Sequence, residues 1–396
     1  MYKSAEYLVG VLFFVVLLIA LPRDVSLQHE WLPILEESSF RGGMKMYGMP
    51  TAYMPPLYAY FLMACRAVFG FADWIKISLI LQGIVYFFSL RFLVKSFFLK
   101  NFRSVRIQLI LVALLLFPPL FAGNLTISSF SLSVSLISVF FAILYRILAE
   151  NTFSSKRLVV LAFVALLGLY LRYEFIYILL ISGAALLYLR KINIRFFLAM
   201  CCFAALAYLP WMVRNYVKIG KFTYSTSLNY NFAKGYNQKY DVFSAYNFPY
   251  SPSEDEILPI EILYKKFDSE KDIDRYLGGL NDEFIQSEPG LFIKLTLQKL
   301  AVNVTQYFPD YGWISSYRLY IFYSIFFVLF QILLVSSLIK LKNRQHRYLF
   351  VFTLIIYLFA LSFYSIAPMP RYFLLYLPFF ALTITKTFLA TNPLEG

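Results

Sequence analysis

Apolar residues along this chain arrive in long unbroken runs rather than in alternation. Tyr7 to Leu21, Ile107 to Phe121, Phe196 to Met212 and Leu319 to Leu338 each approach or reach the roughly 20 residues an α-helix needs to cross a ~30 Å hydrocarbon core. A transmembrane β-barrel would alternate polar and apolar positions in segments of about ten residues, and a soluble core would not carry so many continuous runs. The pattern predicts an all-α polytopic membrane protein. Its spans are expected at the first run and at 74–94, 107–122, 128–147, 158–172, 174–189, 196–212, 318–340, 348–366 and 372–388, about ten crossings in all. The hairpin around Arg172 and Glu174 is the weakest pair, because both arms are short for a full crossing.

Two polar stretches interrupt the runs. Residues 23–55 form an acidic, aromatic loop with Asp24, Glu30, Glu36 and Glu37, and residues 213–317 are long enough for a small subdomain. The expected organisation is an N-terminal transmembrane module (1–212) that includes this first outer loop, an outer-face subdomain (213–317) and C-terminal transmembrane helices (318–396). Within the subdomain, residues 222–253 are rich in Tyr, Asn and Ser and read as an irregular loop. Residues 254–306 read as helical, with Ser253 capping a start at Glu254, Asp255 and Glu256. Pro289 to Val304 combines apolar positions with Lys294 and Lys299, as a helix lying on the membrane surface does.

Composition agrees with the pattern: 60% of residues are hydrophobic and the mean hydropathy is +0.66. The net charge of +14 does not point to nucleic acid, because the basic residues fall in short clusters between spans. These are Lys95, Lys100, Arg103 and Arg106; Lys156 and Arg157; Arg190, Lys191 and Arg195; and Lys340, Lys342, Arg344 and Arg347. The positive-inside rule places them in the cytoplasm. The 3 cysteines, Cys65, Cys201 and Cys202, all lie in apolar segments, so no disulfide framework or thiolate metal site is implied. The first span, flanked by Lys3 and Arg23, lacks a small-residue cleavage site and reads as a retained helix.

Sidedness then constrains the topology. With the amino terminus inside, residues 23–52 emerge outside, and the Lys95 cluster is inside only if Pro56 to Gly70 does not cross. A helix over that stretch measures about 22 Å and carries Arg66, which suits a position along or dipping into the outer interface. Proline at its first turn favours a helix start. The outer face therefore gathers residues 23–52, Asn124, the Arg172–Tyr173–Glu174 turn, residues 213–317 and the turn that ends at Arg371. Arg214, Lys218, Lys221 and Arg371 are exceptions to the charge pattern. An anionic ligand would explain Arg371, whereas Lys218 and Lys221 read as solvated. Glu36 and Glu37 read as a solvated helical face, and Asn124 with Thr126 as an incidental acceptor pattern at a span end.

Four motifs carry a resemblance. They are Met54-Pro55-Pro56-Leu57-Tyr58, closing near Phe69-Gly70; Leu171-Arg172-Tyr173-Glu174; Pro210-Trp211-Met212-Val213-Arg214-Asn215-Tyr216 with Gly220 and residues 225–235; and Met369-Pro370-Arg371-Tyr372. In this order, and all on one face, they resemble the GT-C superfamily of integral-membrane glycosyltransferases, in particular the bacterial branch related to protein mannosyltransferases and aminoarabinose transferases. Ser287-Glu288-Pro289-Gly290-Leu291-Phe292 is similar to a further recurring segment of these proteins.

The resemblance implies a bacterial inner-membrane enzyme with its active site on the extracytoplasmic side. It implies transfer of a sugar from a polyprenyl-phosphate-linked donor to a hydroxyl of a glycan, lipid or protein acceptor. The catalytic base is expected to be Glu30 or Asp24, since a carboxylate must take the acceptor proton. His29-Glu30 stands where the family commonly has an Asp-Glu pair, so both candidates stay open. The donor phosphate is expected to meet Arg371, then Arg214, then Arg172, whose planar forks suit phosphate. Tyr53, Tyr58 and Tyr372 are candidate substrate contacts. No cofactor or metal is expected, because members that use monophosphate donors generally need none. A polysaccharide polymerase or ligase shares the outer arginines but not the need for an acidic first loop. A transporter would show related halves and midspan charges, and the sequence has neither.

Overall fold

Prolines, glycines and short polar caps decide where the helices of this chain begin and end. A computed structural model describes residues 2–21, 31–150, 155–238, 260–305, 317–342, 347–363 and 371–389. In the first half these form α1 (Tyr2–Ala20), α2 (Trp31–Glu37), α3 (Pro56–Phe97), α4 (Val105–Leu115), α5 (Pro118–Ala122), α6 (Phe130–Glu150), α7 (Ser155–Leu171), α8 (Phe175–Tyr188) and α9 (Ile194–Ile219). Then follow α10 (Ser227–Gly235), α11 (Ile260–Lys266), α12 (Glu270–Ser287), α13 (Pro289–Thr305), α14 (Tyr317–Lys342), α15 (Arg347–Phe363), α16 (Arg371–Leu374) and α17 (Leu377–Leu389). A hairpin of β1 (Lys45–Met46) and β2 (Met49–Pro50), with Met46 opposite Met49, sits in the first loop.

Among the described residues, four segments are long and apolar enough to cross a membrane: Trp74–Phe97, Phe130–Ala149, Ile194–Ile219 and Ile321–Lys342. Six shorter apolar helices of 10–17 residues accompany them. The protein is an all-α membrane protein.

The expected break between Pro56–Gly70 and the next span is present, and its cause is local. Gly70 sits at φ 76°, ψ −176°, a conformation essentially restricted to glycine, and it divides α3 into two arms. Pro56 opens the first arm at a position where its missing N–H costs nothing. Other boundaries move from their expected places. The span at 107–122 stops at Leu115, and the chain restarts as α5 with Pro118 in its first turn, because proline cannot continue a helix from the preceding turn. The helix expected to end at Met212 runs on through Pro210 to Ile219 and stops at Gly220, whose φ of 78° makes a left-handed cap. The last span is interrupted between Leu374 and Leu377. Residues 222–253 are not wholly irregular, since α10 lies within them. Ser253 and the acidic run after it lie outside the described residues. Helices α12 and α13 fall where helix was expected, but Lys299 of α13 is fully buried rather than solvated.

Two hydrophobic cores result. The larger joins α1, the second arm of α3, α4, α6–α8, α14, α15 and α17 around rings such as Phe13, Tyr86, Phe141, Phe379 and Phe380. Several hydroxyls within it are satisfied by their own helices: Ser135, Ser337, Thr383 and Thr387 each donate to the carbonyl four residues back. The smaller core joins Trp31 and Leu35 of α2, Met44, Met46 and Tyr53 of the first loop, Tyr58 and Leu62 of α3, Trp211 and Ile219 of α9, and Leu263, Ile273 and Leu277 of α11 and α12. The described part of the first loop, residues 31–55, therefore packs with α10, α11 and α12 in one core at one end of the bundle. At the opposite end Glu6 pairs with Arg91, Arg146 bonds Ser96 and Lys386 bonds the Phe97 carbonyl, so the amino-terminal helix begins on the basic face.

Candidate functional site

The first loop is short of regular structure, so its buried backbone groups need partners from elsewhere. Its hairpin turns on Tyr47 (φ 51°) and Gly48 (φ 83°), two positive values of the kind that two-residue hairpins require. Glu37 accepts from the Gly48 N–H at 2.5 Å and Ser38 Oγ from the Lys45 N–H at 2.9 Å, which brace the turn. Beyond the hairpin, residues 51–53 run against residues 225–226 and the start of α12. The Ala52 N–H donates to Glu270 Oε1 at 2.8 Å, the Ala52 carbonyl accepts from the Thr226 N–H at 3.3 Å, and the Tyr53 carbonyl accepts from Ser225 Oγ at 3.1 Å.

Arg214 closes the arrangement from the side. Its Nη1 donates to the Thr51 carbonyl at 2.7 Å and to Asn215 Oδ1 at 2.9 Å, and its Nη2 to the Met44 carbonyl at 2.9 Å. The guanidinium lies 4.8 Å from the Trp211 ring centroid, and the Trp211 indole donates to the Tyr224 carbonyl at 2.9 Å. Three of the five N–H groups of Arg214 are thus engaged, and two have no acceptor among the described residues.

Glu270 is the counterpart on the other side. Ser269 caps α12, and Glu270 occupies its first turn, where the helix end favours a negative group. Only 3% exposed, it accepts from the Ala52 N–H, from Thr226 Oγ1 at 2.5 Å and from the Tyr264 hydroxyl at 2.5 Å. Burial, and then the Glu270 carboxylate, push the Tyr264 phenol well above its ordinary value, which keeps it a donor. Nearby, Lys221 forms an ion pair with buried Asp274, which also accepts from Asn229 at 2.9 Å. Lys221, its side chain 38% exposed, is thus paired as well as solvated, and Lys218 is exposed as expected.

Below this clamp a groove of about 590 Å³ opens between the first arm of α3, α7 and α9. Its walls are apolar, from Leu57, Leu166, Leu167, Leu206 and Pro210, and its polar margin is Tyr60, Tyr170, Trp211 and Arg214. Most of α9 is exposed along its length, so in a bilayer this face meets lipid. The arrangement suits a long apolar chain that carries a polar or anionic head toward Arg214.

The remaining candidates are distributed as follows. Arg172 is held by Glu174 through Nη2–Oε1 at 2.6 Å and Nε–Oε2 at 3.2 Å, the pairing that closes the α7–α8 turn. Tyr53 is buried against Tyr230, and Tyr58 is fully buried with its hydroxyl on Gln82 Oε1 at 2.5 Å and its ring 4.8 Å from Trp31. Both are core side chains of the smaller cluster, and Tyr60 and Tyr170 are the tyrosines of the groove. Asp24 and Glu30 lie outside the described residues, as do the side chains of Arg371 and Tyr372. Among the described residues no group of three His, Cys, Asp or Glu side chains is placed to hold a metal ion. Sequence reading missed Glu270, Thr226 and Tyr264. Nothing local marks the Glu270 carboxylate as buried. Asn124, expected to be incidental, is fully buried and accepts from Ser131 Oγ at 2.6 Å.

Comparison of the chain with protein-family models, with curated proteins and with solved structures finds no match.

Proposed function

We propose that this protein is a membrane glycosyltransferase of GT-C type, which moves a sugar from a polyprenyl-phosphate donor to an acceptor hydroxyl on the outer face of a bacterial inner membrane. In this reading α1, the second arm of α3, α4, α6–α9, α14, α15 and the α16–α17 pair make ten crossings. The observation that carries the proposal is the apolar groove that ends on Arg214, directly beneath the docked exit of the acidic loop. The polyprenyl chain occupies the groove, and the free N–H groups of Arg214, with Arg371, receive the phosphate. Glu30 or Asp24 takes the proton from the acceptor hydroxyl as its oxygen bonds the anomeric carbon. The bond from that carbon to the phosphate oxygen breaks, and the arginines stabilise the charge that develops there. Arg172 in this scheme positions the α7–α8 turn and does not touch phosphate. No metal or cofactor enters the scheme, and the acceptor is a glycan, a lipid or a protein.

The test is glycan and lipid analysis of the host envelope with wild type, Asp24→Ala, Glu30→Ala, Arg371→Ala and Leu206→Trp at equal membrane levels. Loss of one sugar from one acceptor in Arg371→Ala, Leu206→Trp and one acidic variant is expected. An envelope unchanged in every variant, under conditions where the gene matters to the host, overturns the reading.

A further inference from the structure

The face of α12 turned away from the smaller core borders a groove of about 720 Å³. Ile273 and Leu277 pack inward, whereas Asp272, Arg275, Tyr276, Gly279 and Glu283 follow the three-and-four spacing of one helical face and line the groove. From Asp272 to Glu283 that face runs about 16 Å. Phe267 closes its near end with a ring centroid 5.2 Å from that of Tyr276, and the Lys266 ammonium lies 5.2 Å from the Tyr276 centroid. Glycine inside a helix is destabilising, and α12 carries two in succession. Gly278 has a packing reason, since a Cβ there would lie 3.4 Å from the Asn229 amide nitrogen. A Cβ on Gly279 would meet nothing within 4 Å, so the packing of the chain does not call for glycine on this face. Its effect is to leave the helix backbone open to close approach by a ligand, one turn from the Tyr276 ring.

The lining narrows the chemistry of that ligand. Two cations, Lys266 and Arg275, nearly balance three carboxylates, Asp268, Asp272 and Glu283, which does not favour a polyanion. So many charges do not suit a lipid chain either. Among the described residues the groove has neither a strand edge nor a continuous apolar floor, the devices that hold extended and helical peptides. What fits is a neutral molecule with an apolar face for an aromatic ring and a rim of hydroxyls for charged donors and acceptors. A saccharide has that form: its C–H groups lie against a ring, and its hydroxyls both donate to carboxylates and accept from an ammonium.

We propose that this groove is an oligosaccharide subsite, with one sugar ring against Tyr276 and Gly279 and hydroxyls along the charged row from Asp268 to Glu283. Its role as the seat of a glycan acceptor rests on the glycosyltransferase reading, whereas binding is measured without transfer. The full-length protein in mild detergent is titrated with oligosaccharides released from the host envelope by mild acid, and saturation-transfer NMR reports the bound sugar protons. Wild type is expected to show saturation at sugar C–H groups. Tyr276→Ala and Gly279→Leu should each weaken binding about tenfold, and Tyr276→Phe, which keeps the ring, should retain it. Lys265→Gln, outside the groove, should match wild type. The proposal is overturned if wild type binds none of the released oligosaccharides, if Tyr276→Ala binds as wild type does, or if Lys265→Gln loses binding equally. Tyr276 and Gly279 are both exposed, and should Gly279→Leu elute as aggregate, the Tyr276→Ala and Tyr276→Phe pair decides. Binding that follows this pattern, with no sugar transfer in the envelope experiment, overturns the transferase reading and leaves the subsite standing. Transfer without binding here overturns the subsite alone.

Discussion

At the end of the bundle away from the basic clusters, Arg214 and Glu270 hydrogen-bond backbone groups of the first loop, whereas at the basic end several cations lie over aromatic rings. Arg91 and Lys95 approach Phe102, Lys340 lies 3.9 Å from the Phe388 ring centroid and Lys386 5.2 Å from that of Tyr145. The difference follows from the chain that each end must organise. The basic end consists of helix termini and short turns, such as residues 98–104, where the Phe98, Asn101 and Ser104 N–H groups each find a backbone carbonyl nearby in sequence. The opposite end contains an irregular segment that folds only if side chains from distant helices supply donors and acceptors. Charge at that end therefore braces irregular backbone, whereas at the basic end it joins helices that already satisfy their own backbone, as Arg91 does with Glu6.

The sharpest way to break this contrast is Glu270→Ala. It leaves the Ala52 N–H and the Thr226 and Tyr264 hydroxyls without their acceptor, and a cost of about 3 kcal/mol is expected. Thermal unfolding in detergent measures it, and a melting temperature equal to wild type would remove Glu270 from its assigned role. Arg214→Ala should cost about 2 kcal/mol and expose residues 38–52 to protease before any other segment. Arg214→Lys should restore little, because one ammonium cannot span the Thr51 and Met44 carbonyls and stack on Trp211 in the same way. Protease resistance equal to wild type in both variants contradicts the clamp.

A third measurement sharpens the contrast through pH. Lys299 donates to the Gly235 carbonyl and lies 3.4 Å from the Tyr236 ring centroid, and burial pushes its pKa down to about 6. Above that value the folded protein holds the amine neutral, while the unfolded chain binds the proton up to the ordinary lysine range. Stability contributed by this site therefore rises with pH from about 6 upward, by at most about 1.4 kcal/mol per pH unit. Lys299→Met should abolish that slope, and an unchanged slope would show that other groups cause it. The smallest effect belongs to the basic end. Lys340→Gln should alter stability by no more than about 0.5 kcal/mol, as surface changes usually do. A larger loss in the same melting experiment would mean that cations there also hold the fold.

Much of the bundle was legible because its signals are local. The Pro56 start, the Gly70 break, the Arg172–Glu174 turn and the helical stretch after residue 260 each depend on residues adjacent in sequence. The misplaced boundaries have contextual causes: α9 continues through Pro210, and α10 forms inside a polar stretch because it packs on α12. The tyrosines show the same division. Thirty-two of them offer no local sign of which face a groove. Burial assigns Tyr53 and Tyr58 to a core and leaves Tyr60 and Tyr170 at the groove's margin.

By itself the sequence determined that this chain is helical and membrane-embedded, that its basic residues cluster between spans, and that its polar residues gather in two stretches. Those properties follow from the length of apolar runs and the cost of moving charge into lipid, and both are sums over neighbouring residues. Only the tertiary structure decided that residues 31–55 pack on α10–α12, that Arg214 and Glu270 hold them together, and that apolar grooves open at both ends. Such pairings join residues more than 150 positions apart, such as Thr51 with Arg214 and Ala52 with Glu270. They arise because a buried backbone group takes whichever partner the packed helices bring to it, and no local pattern records that choice.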